Sequence, residues 1–223
     1  SIKLLRHLIS SMWLCAGVIC LSCSFSEIET AEELQAYVTD PSNELSVVRD
    51  CDRNHTATVT FRPTDLLVYQ EVDGQQPDSS SINLLRKKYS NYYYFVLSLS
   101  KNNKEALHQS GEGYSELLQT LSFRMDDFVT LTTSESDTVP VGDFIMQRSY
   151  GLSQSTDMLF VFENARASHA EWIQFNLSEF GLGIGNQRFR FQTSALNDCP
   201  KIDFEGLLSV DNEWKSGGFP DKY

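Results

Sequence analysis

The cleanest alternation in the chain is residues 56–62, TATVTFR, with Ala57, Val59 and Phe61 on one face and threonines on the other. A period of two built from β-branched and aromatic residues predicts a half-buried strand. Residues 45–49 predict a partner for it, folded back as a hairpin across the polar stretch DCDRN. The run NYYYFVLSLS opens with aromatics and then sets Phe95, Leu97 and Leu99 against Val96, Ser98 and Ser100, the most β-prone pattern in the chain. Within it Tyr92 and Tyr94 share one face and Tyr93 takes the other, so at least one tyrosine is expected inside whichever face is buried. Further strands are expected over 128–133, 143–148, 158–163, 171–177 and 188–193.

Helical spacing is confined to short segments. Thr30 followed by Glu33 fits a capping box, which predicts a helix to about residue 38 that stops before Pro41. Pro63-Thr64-Asp65 offers a helix start for LLVYQEV, and DGQQPDSSS over 73–81 reads as a loop. Ile82, Leu85 and Tyr89 recur at helical spacing, with Arg86, Lys87 and Lys88 where cations suit the end of the dipole. Residues 114–125 place Leu117, Leu118, Leu121 and Met125 along one side of another helix. With no internal repeat and no convincing linker, the pattern predicts an α+β fold, an antiparallel β-rich sheet or sandwich with a few short helices packed on it. One globular domain is expected over 30–214, with a flexible tail over 215–223.

The first residues have a different character. Lys3, Arg6 and His7 precede an apolar stretch from residue 8 to 21, and small residues Ser22, Cys23 and Ser24 follow. That order is the layout of a secretory signal over 1–22. The apolar stretch is about 14 residues long, short of the roughly 20 that a helix needs to cross the hydrocarbon. Leu21-Ser22-Cys23 resembles the lipobox of bacterial lipoproteins, in the loose form found in Bacteroidetes-type bacteria. The resemblance implies that Cys23 receives diacylglycerol, becomes the mature N-terminus and begins a tether over 23–29. Two acyl chains on one cysteine would hold the domain at a membrane, each buried methylene contributing about 0.8 kcal/mol. The expected location is the cell envelope, anchored at the outer membrane, its face undetermined.

Charge narrows the partners. The chain carries 18 Lys plus Arg against 30 Asp plus Glu, net −12, and loss of Lys3 and Arg6 with the signal would take it to −14. Phosphate backbones and anionic headgroups repel such a domain, so no nucleic-acid partner is expected. Cys51 and Cys199 would remain after processing; in an oxidising compartment they either pair, closing a loop of about 150 residues, or stay as separate thiols. Neither belongs to a C-x-x-C motif, and no metal site is expected.

Motifs that would demand chemistry are missing from the sequence. Gly181-Leu182-Gly183-Ile184-Gly185 lacks the third glycine of the dinucleotide fingerprint, the position being Asn186, and reads as a glycine-rich turn between strands. His55, His108 and His169 read as ordinary surface residues, and no G-x-S-x-G elbow marks a nucleophile. Adjacent acids at Asp126-Asp127 and Glu32-Glu33 diverge on a strand or a helix, so neither makes a carboxylate dyad. No catalytic residue and no cofactor is expected. The favoured function is a non-enzymatic interaction or accessory subunit of an envelope complex, with a protein partner. The alternative is an extracytoplasmic glycan-binding module or hydrolase, which a deep pocket with converging polar residues and perturbed pKa values would favour.

Overall fold

The structure, a computed structural model, describes residues 28–72, 78–148 and 152–204. The expected signal, Cys23 and the C-terminal tail lie outside the described residues. Among these residues, ten strands form two antiparallel sheets. The larger runs β1 (Ser46–Asp50), β2 (His55–Phe61), β3 (Tyr92–Lys101), β8 (Thr156–Glu163), β7 (Asp143–Gln147), with β4 (Lys104–Glu105) also paired to β3. The smaller runs β10 (Gln187–Gln192), β9 (Trp172–Leu177), β5 (Val129–Thr133), β6 (Thr138–Pro140). Among the described residues, five α-helices accompany them: α1 (Ala31–Thr39), α2 (Thr64–Val72), α3 (Ser79–Tyr89), α4 (Tyr114–Phe123) and α5 (Thr193–Asn197). The α+β class expected from the alternation is the one observed.

Alternation decides which way each sheet faces. Ala57, Val59 and Phe61 of β2, Phe95, Leu97 and Leu99 of β3, and Met158, Phe160 and Phe162 of β8 are all buried. So are Val129 and Leu131 of β5, Ile173, Phe175 and Leu177 of β9, and Phe189 and Phe191 of β10. Rings from the two sheets meet between the layers, Phe175 lying 6.1 Å from Phe95 and 5.5 Å from Phe160, and Phe191 lying 5.0 Å from Phe95. The sheets are therefore packed face to face as a sandwich around one connected core. Among the described residues, no helix is long and apolar enough to cross a membrane.

The helix ends follow the local signals. Thr30 Oγ1 accepts from Glu33 N at 3.1 Å and Glu33 Oε2 accepts from Thr30 N at 3.2 Å, so the capping box is formed and α1 buries Leu34 and Val38. The expected loop over 73–81 is shorter at its far end, because Asp78 accepts from Ser81 N at 2.8 Å and caps α3 from Ser79 onward. A helix also takes over at Thr193, where the last strand had been expected to end. The short strands β4 and β6 had no counterpart in the pattern, since two or three residues cannot display a period.

Asp65 of α2 is almost wholly buried and holds three elements together. Its Oδ1 accepts from Arg86 Nε at 2.8 Å, and its Oδ2 accepts from Arg86 Nη2 at 2.6 Å and from Ile202 N at 2.8 Å. Arg86 Nη2 also donates to Ile202 O at 2.9 Å, and its guanidinium lies 5.2 Å from the centre of the Phe204 ring. Ile202 in turn bridges in parallel to Ile28, so this one ion pair fastens α2, α3 and both flanking segments of the fold.

Candidate functional site

Strand register lines up the outward positions of the larger sheet in rows. Val48 of β1 faces Thr58 of β2, Thr58 faces Ser98 of β3, Ser98 faces Asp157 of β8, and Asp157 faces Gln147 of β7. One strand step along, Ser46 faces Thr60, and Thr60 faces Val96. The hydroxyls of Ser46 and Thr60 are 2.8 Å apart. The positions that alternate with the buried apolar residues thus make a polar floor on the face that does not touch the second sheet.

That floor belongs to a groove of about 560 Å³. Its other lining residues include Gln35 and Thr39 of α1, Arg62 directly after β2, Asn103 in the β3–β4 turn, and Gln154 and Ser155 ahead of β8. The volume is in the range of small-molecule sites, but the lining is hydroxyl and amide where such sites are commonly apolar.

Among the described residues, two charged groups line the groove. Asp157 Oδ1 accepts from Ser155 Oγ at 2.7 Å. Arg62 continues the outward alternation of Thr56, Thr58 and Thr60, and its backbone N–H donates to Tyr94 O at 2.8 Å. Its guanidinium is half-buried, with Gln70 Oε1 at 3.2 Å as a neutral partner and no carboxylate at ion-pair distance among the described residues. Burial lowers its pKa from the ordinary arginine value. Among the described residues, the arrangement offers hydrogen bonds and one positive charge, and the groove lining contains neither a histidine nor a cysteine.

The glycine run forms the β9–β10 connection and acts as an anion nest filled from within. Gly181, Gly183 and Gly185 all have positive φ, which turns their N–H groups inward. Glu179 Oε1 accepts from Gly181 N and Gly183 N at 2.8 Å each, and its Oε2 accepts from Gly185 N at 2.5 Å. Asn186 Oδ1 closes the loop by accepting from Glu179 N at 2.9 Å. Burial pushes the Glu179 pKa up, but the N–H groups of Gly183, Gly185, Gly181 and Ile184 outweigh it and leave the pKa below the ordinary glutamate value. A carboxylate whose folded pKa is depressed stabilises the fold above its unfolded value and loses that contribution as pH falls through the folded one. The protection of these glycine amides against hydrogen exchange, taken relative to the intrinsic rate at each pH, is therefore expected to fall as pH drops below about 4.3, the ordinary glutamate value. Glu179→Gln is expected to remove the acid dependence; protection in the native chain that is flat through this range would contradict the nest.

The histidines depart from the surface expectation in one case, His55, while His108 is exposed. His55 is buried, its Nδ1 3.1 Å from Asp52 O. His108 Nδ1 lies 2.5 Å from Glu105 Oε2, a buried carboxylate, and its ring meets Tyr114 edge to face. The adjoining cavity is about 50 Å³, room for a water or two and no organic substrate. His169 is exposed as expected.

Cys51 and Cys199 are free thiols in this structure. Burial pushes the Cys199 pKa up to about 12, with the Asp65 charge adding to it, and burial raises that of Cys51 as well. Since the thiolate is the reacting form, Cys199 is expected to alkylate far more slowly at pH 8 than a free thiol and Cys51 more slowly than one, and both at the ordinary rate once the chain is unfolded in urea. Rapid labelling of the folded chain at either position would contradict their burial. Among the described residues, no three or more His, Cys, Asp or Glu side chains cluster as a metal site.

No family model matches the chain, and no curated protein matches it. Among solved structures, the chain is similar to a crystal structure of a protein of unknown function from Burkholderia pseudomallei. The identity is 12%, the match covers 77% of this chain and 91% of that one, and the TM-score is 0.40.

Proposed function

We propose that this chain is a lipid-anchored binding subunit of the cell envelope, held at the membrane through Cys23, which acts by capturing a polar ligand in the groove of its larger sheet. The observation that carries the reading is the polar groove itself, with a floor of serine and threonine hydroxyls on β1, β2 and β3 continued by Asp157 of β8 and Gln147 of β7. Side chains on a sheet are held by the packing beneath them, so hydrogen-bonding groups there are preorganised for recognition. The two charges in the groove are far apart along the strands. Arg62 is opposite Tyr94 and Asp157 opposite Ser98, four residues away on β3, a separation of about 13 Å along the strand. That spacing favours contact with a ligand at two places over acid–base work on one bond, and it moves the weight from an accessory protein contact to the glycan-binding alternative.

The anchor and the activity are tested separately. The N-terminal peptide of the native protein, extracted from its membranes with detergent, is expected to have the mass of a diacylglyceryl cysteine at Cys23, and Cys23→Ala is expected to leave the membrane fraction. An unmodified cleaved N-terminus overturns the anchor. Saccharide fragments of the envelope are expected to bind without being consumed. Robust turnover of a glycan or an ester by the purified chain overturns the binding role.

A further inference from the structure

We infer that the ligand of the groove is an acidic saccharide, its carboxylate held by Arg62 and its hydroxyls laid along the serine and threonine rows toward Asp157. The inference rests on the groove being the binding site, and it goes further by fixing the chemical class of what binds.

Exclusion comes first. An extended peptide is commonly captured at an unpaired strand edge, whereas the groove lies on the face of a sheet whose ladder hydrogen bonds are made between its own strands. An apolar ligand would strip water from the hydroxyls and amides of Thr58, Thr60, Ser98, Gln147 and Gln154 without replacing their hydrogen bonds. A nucleic acid needs many cations, and among the described residues the groove has one, in a chain of net charge −12. A polyhydroxylated molecule satisfies the lining, because each sugar hydroxyl both donates and accepts.

The charge on the ligand follows from Arg62. A half-buried guanidinium has five donors, and here Gln70 supplies the one side-chain acceptor found among the described residues. Its planar fork matches a carboxylate in two parallel hydrogen bonds. One cation in an acidic chain balances one negative charge, which suits a uronate better than a phosphate monoester carrying close to two. At the far end of the groove Asp157 repels a second anionic group and accepts from neutral hydroxyls, so the ligand is charged at one end. The stretch from Arg62 to Asp157 is long enough for more than one ring.

The test uses the full chain in detergent, titrated calorimetrically with a short galacturonate oligosaccharide, its neutral galactose counterpart and a sulfated form of the latter. The galacturonate is expected to bind at least about tenfold more tightly than the neutral compound. Arg62→Gln is expected to erase that preference while the melting temperature stays within a few degrees, and Arg62→Lys to retain part of it. Ser98→Trp, which fills the floor, is expected to abolish binding. Equal affinity for the neutral compound or a stronger preference for the sulfated one overturns the acidic saccharide, and a preference that survives Arg62→Gln overturns Arg62 as the holder of its carboxylate; each leaves the binding groove standing. No binding of any of the three, or binding that survives Ser98→Trp, overturns both.

Discussion

Replacing Arg86 by methionine is expected to destabilise the fold by about 3–5 kcal/mol, read as a shift in the midpoint of urea unfolding. The methionine fills most of the space but leaves the Asp65 carboxylate, 4% exposed, with only the Ile202 N–H of the three hydrogen bonds it accepts. An uncompensated buried charge costs far more than the net worth of the pair, which is why removing one partner is the severe change. Asp65→Asn combined with Arg86→Met is expected to recover part of the loss, since the amide needs no counter-charge and still accepts from Ile202. The pair between Lys88 and Glu71 provides the contrast: its side chains are 57% and 39% exposed, and Lys88→Met is expected to cost less than about 1 kcal/mol. The loss should be felt at both ends of the described fold together, because Ile202 is bonded to Asp65 and Arg86 and bridges to Ile28. An effect of Arg86→Met as small as that of Lys88→Met would mean that the buried cluster is not what fastens these segments.

Much of this architecture is readable from periodicity, because a sheet with one face in the core writes its burial into every second residue. TATVTFR and NYYYFVLSLS became adjacent strands, and their apolar positions became the inner face. The polar positions of the same two runs became the groove floor, yet nothing in either run alone says that Thr58, Ser98, Asp157 and Gln147 stand in one row. Register between distant strands is a tertiary fact. Arg62 carried a signal of its own, a lone cation ending a row of threonines, but its lack of a carboxylate partner emerges only from packing. Tyr93 and Tyr94 are buried while Tyr92 stays 41% exposed, because Tyr94 lies on the outward face against Tyr89 of α3, a contact that alternation cannot foresee. The same holds for Asp65, which reads as a first-turn acid of α2 and is in fact the buried end of an ion pair with a residue in α3. For the glycine run, the turn was legible and the carboxylate that fills it was not, although Glu179 stands just two residues ahead of Gly181.

Phe175→Ala is expected to cost about 3–5 kcal/mol, comparable to the loss at Arg86 but with a different origin. Phe175 is fully buried on β9 and meets Phe95, Phe160 and Phe162 of the larger sheet and Phe189 of its own. Truncation removes apolar burial and opens a cavity between two sheets whose backbones are tied by ladder hydrogen bonds and cannot collapse into it. Phe175→Leu, which refills most of the volume, is expected to recover more than half of the loss. Phe95 lies across the interface at 6.1 Å, and Phe95→Ala alone is expected to be as severe. The pair should be coupled: the double variant is expected to be less destabilised than the two single losses added together, by about 0.5–1.5 kcal/mol, because the edge-to-face contact is lost once and counted twice. Additive losses would show that the two sheets are held by burial alone without specific ring contacts. A Phe175→Ala loss below about 1 kcal/mol would mean that the layers do not meet at this point. In either outcome binding in the groove is a useful second readout, since its floor is the outer face of the strands whose inner face Phe95 and Phe160 occupy; looser packing beneath should weaken the ligand before the fold is lost.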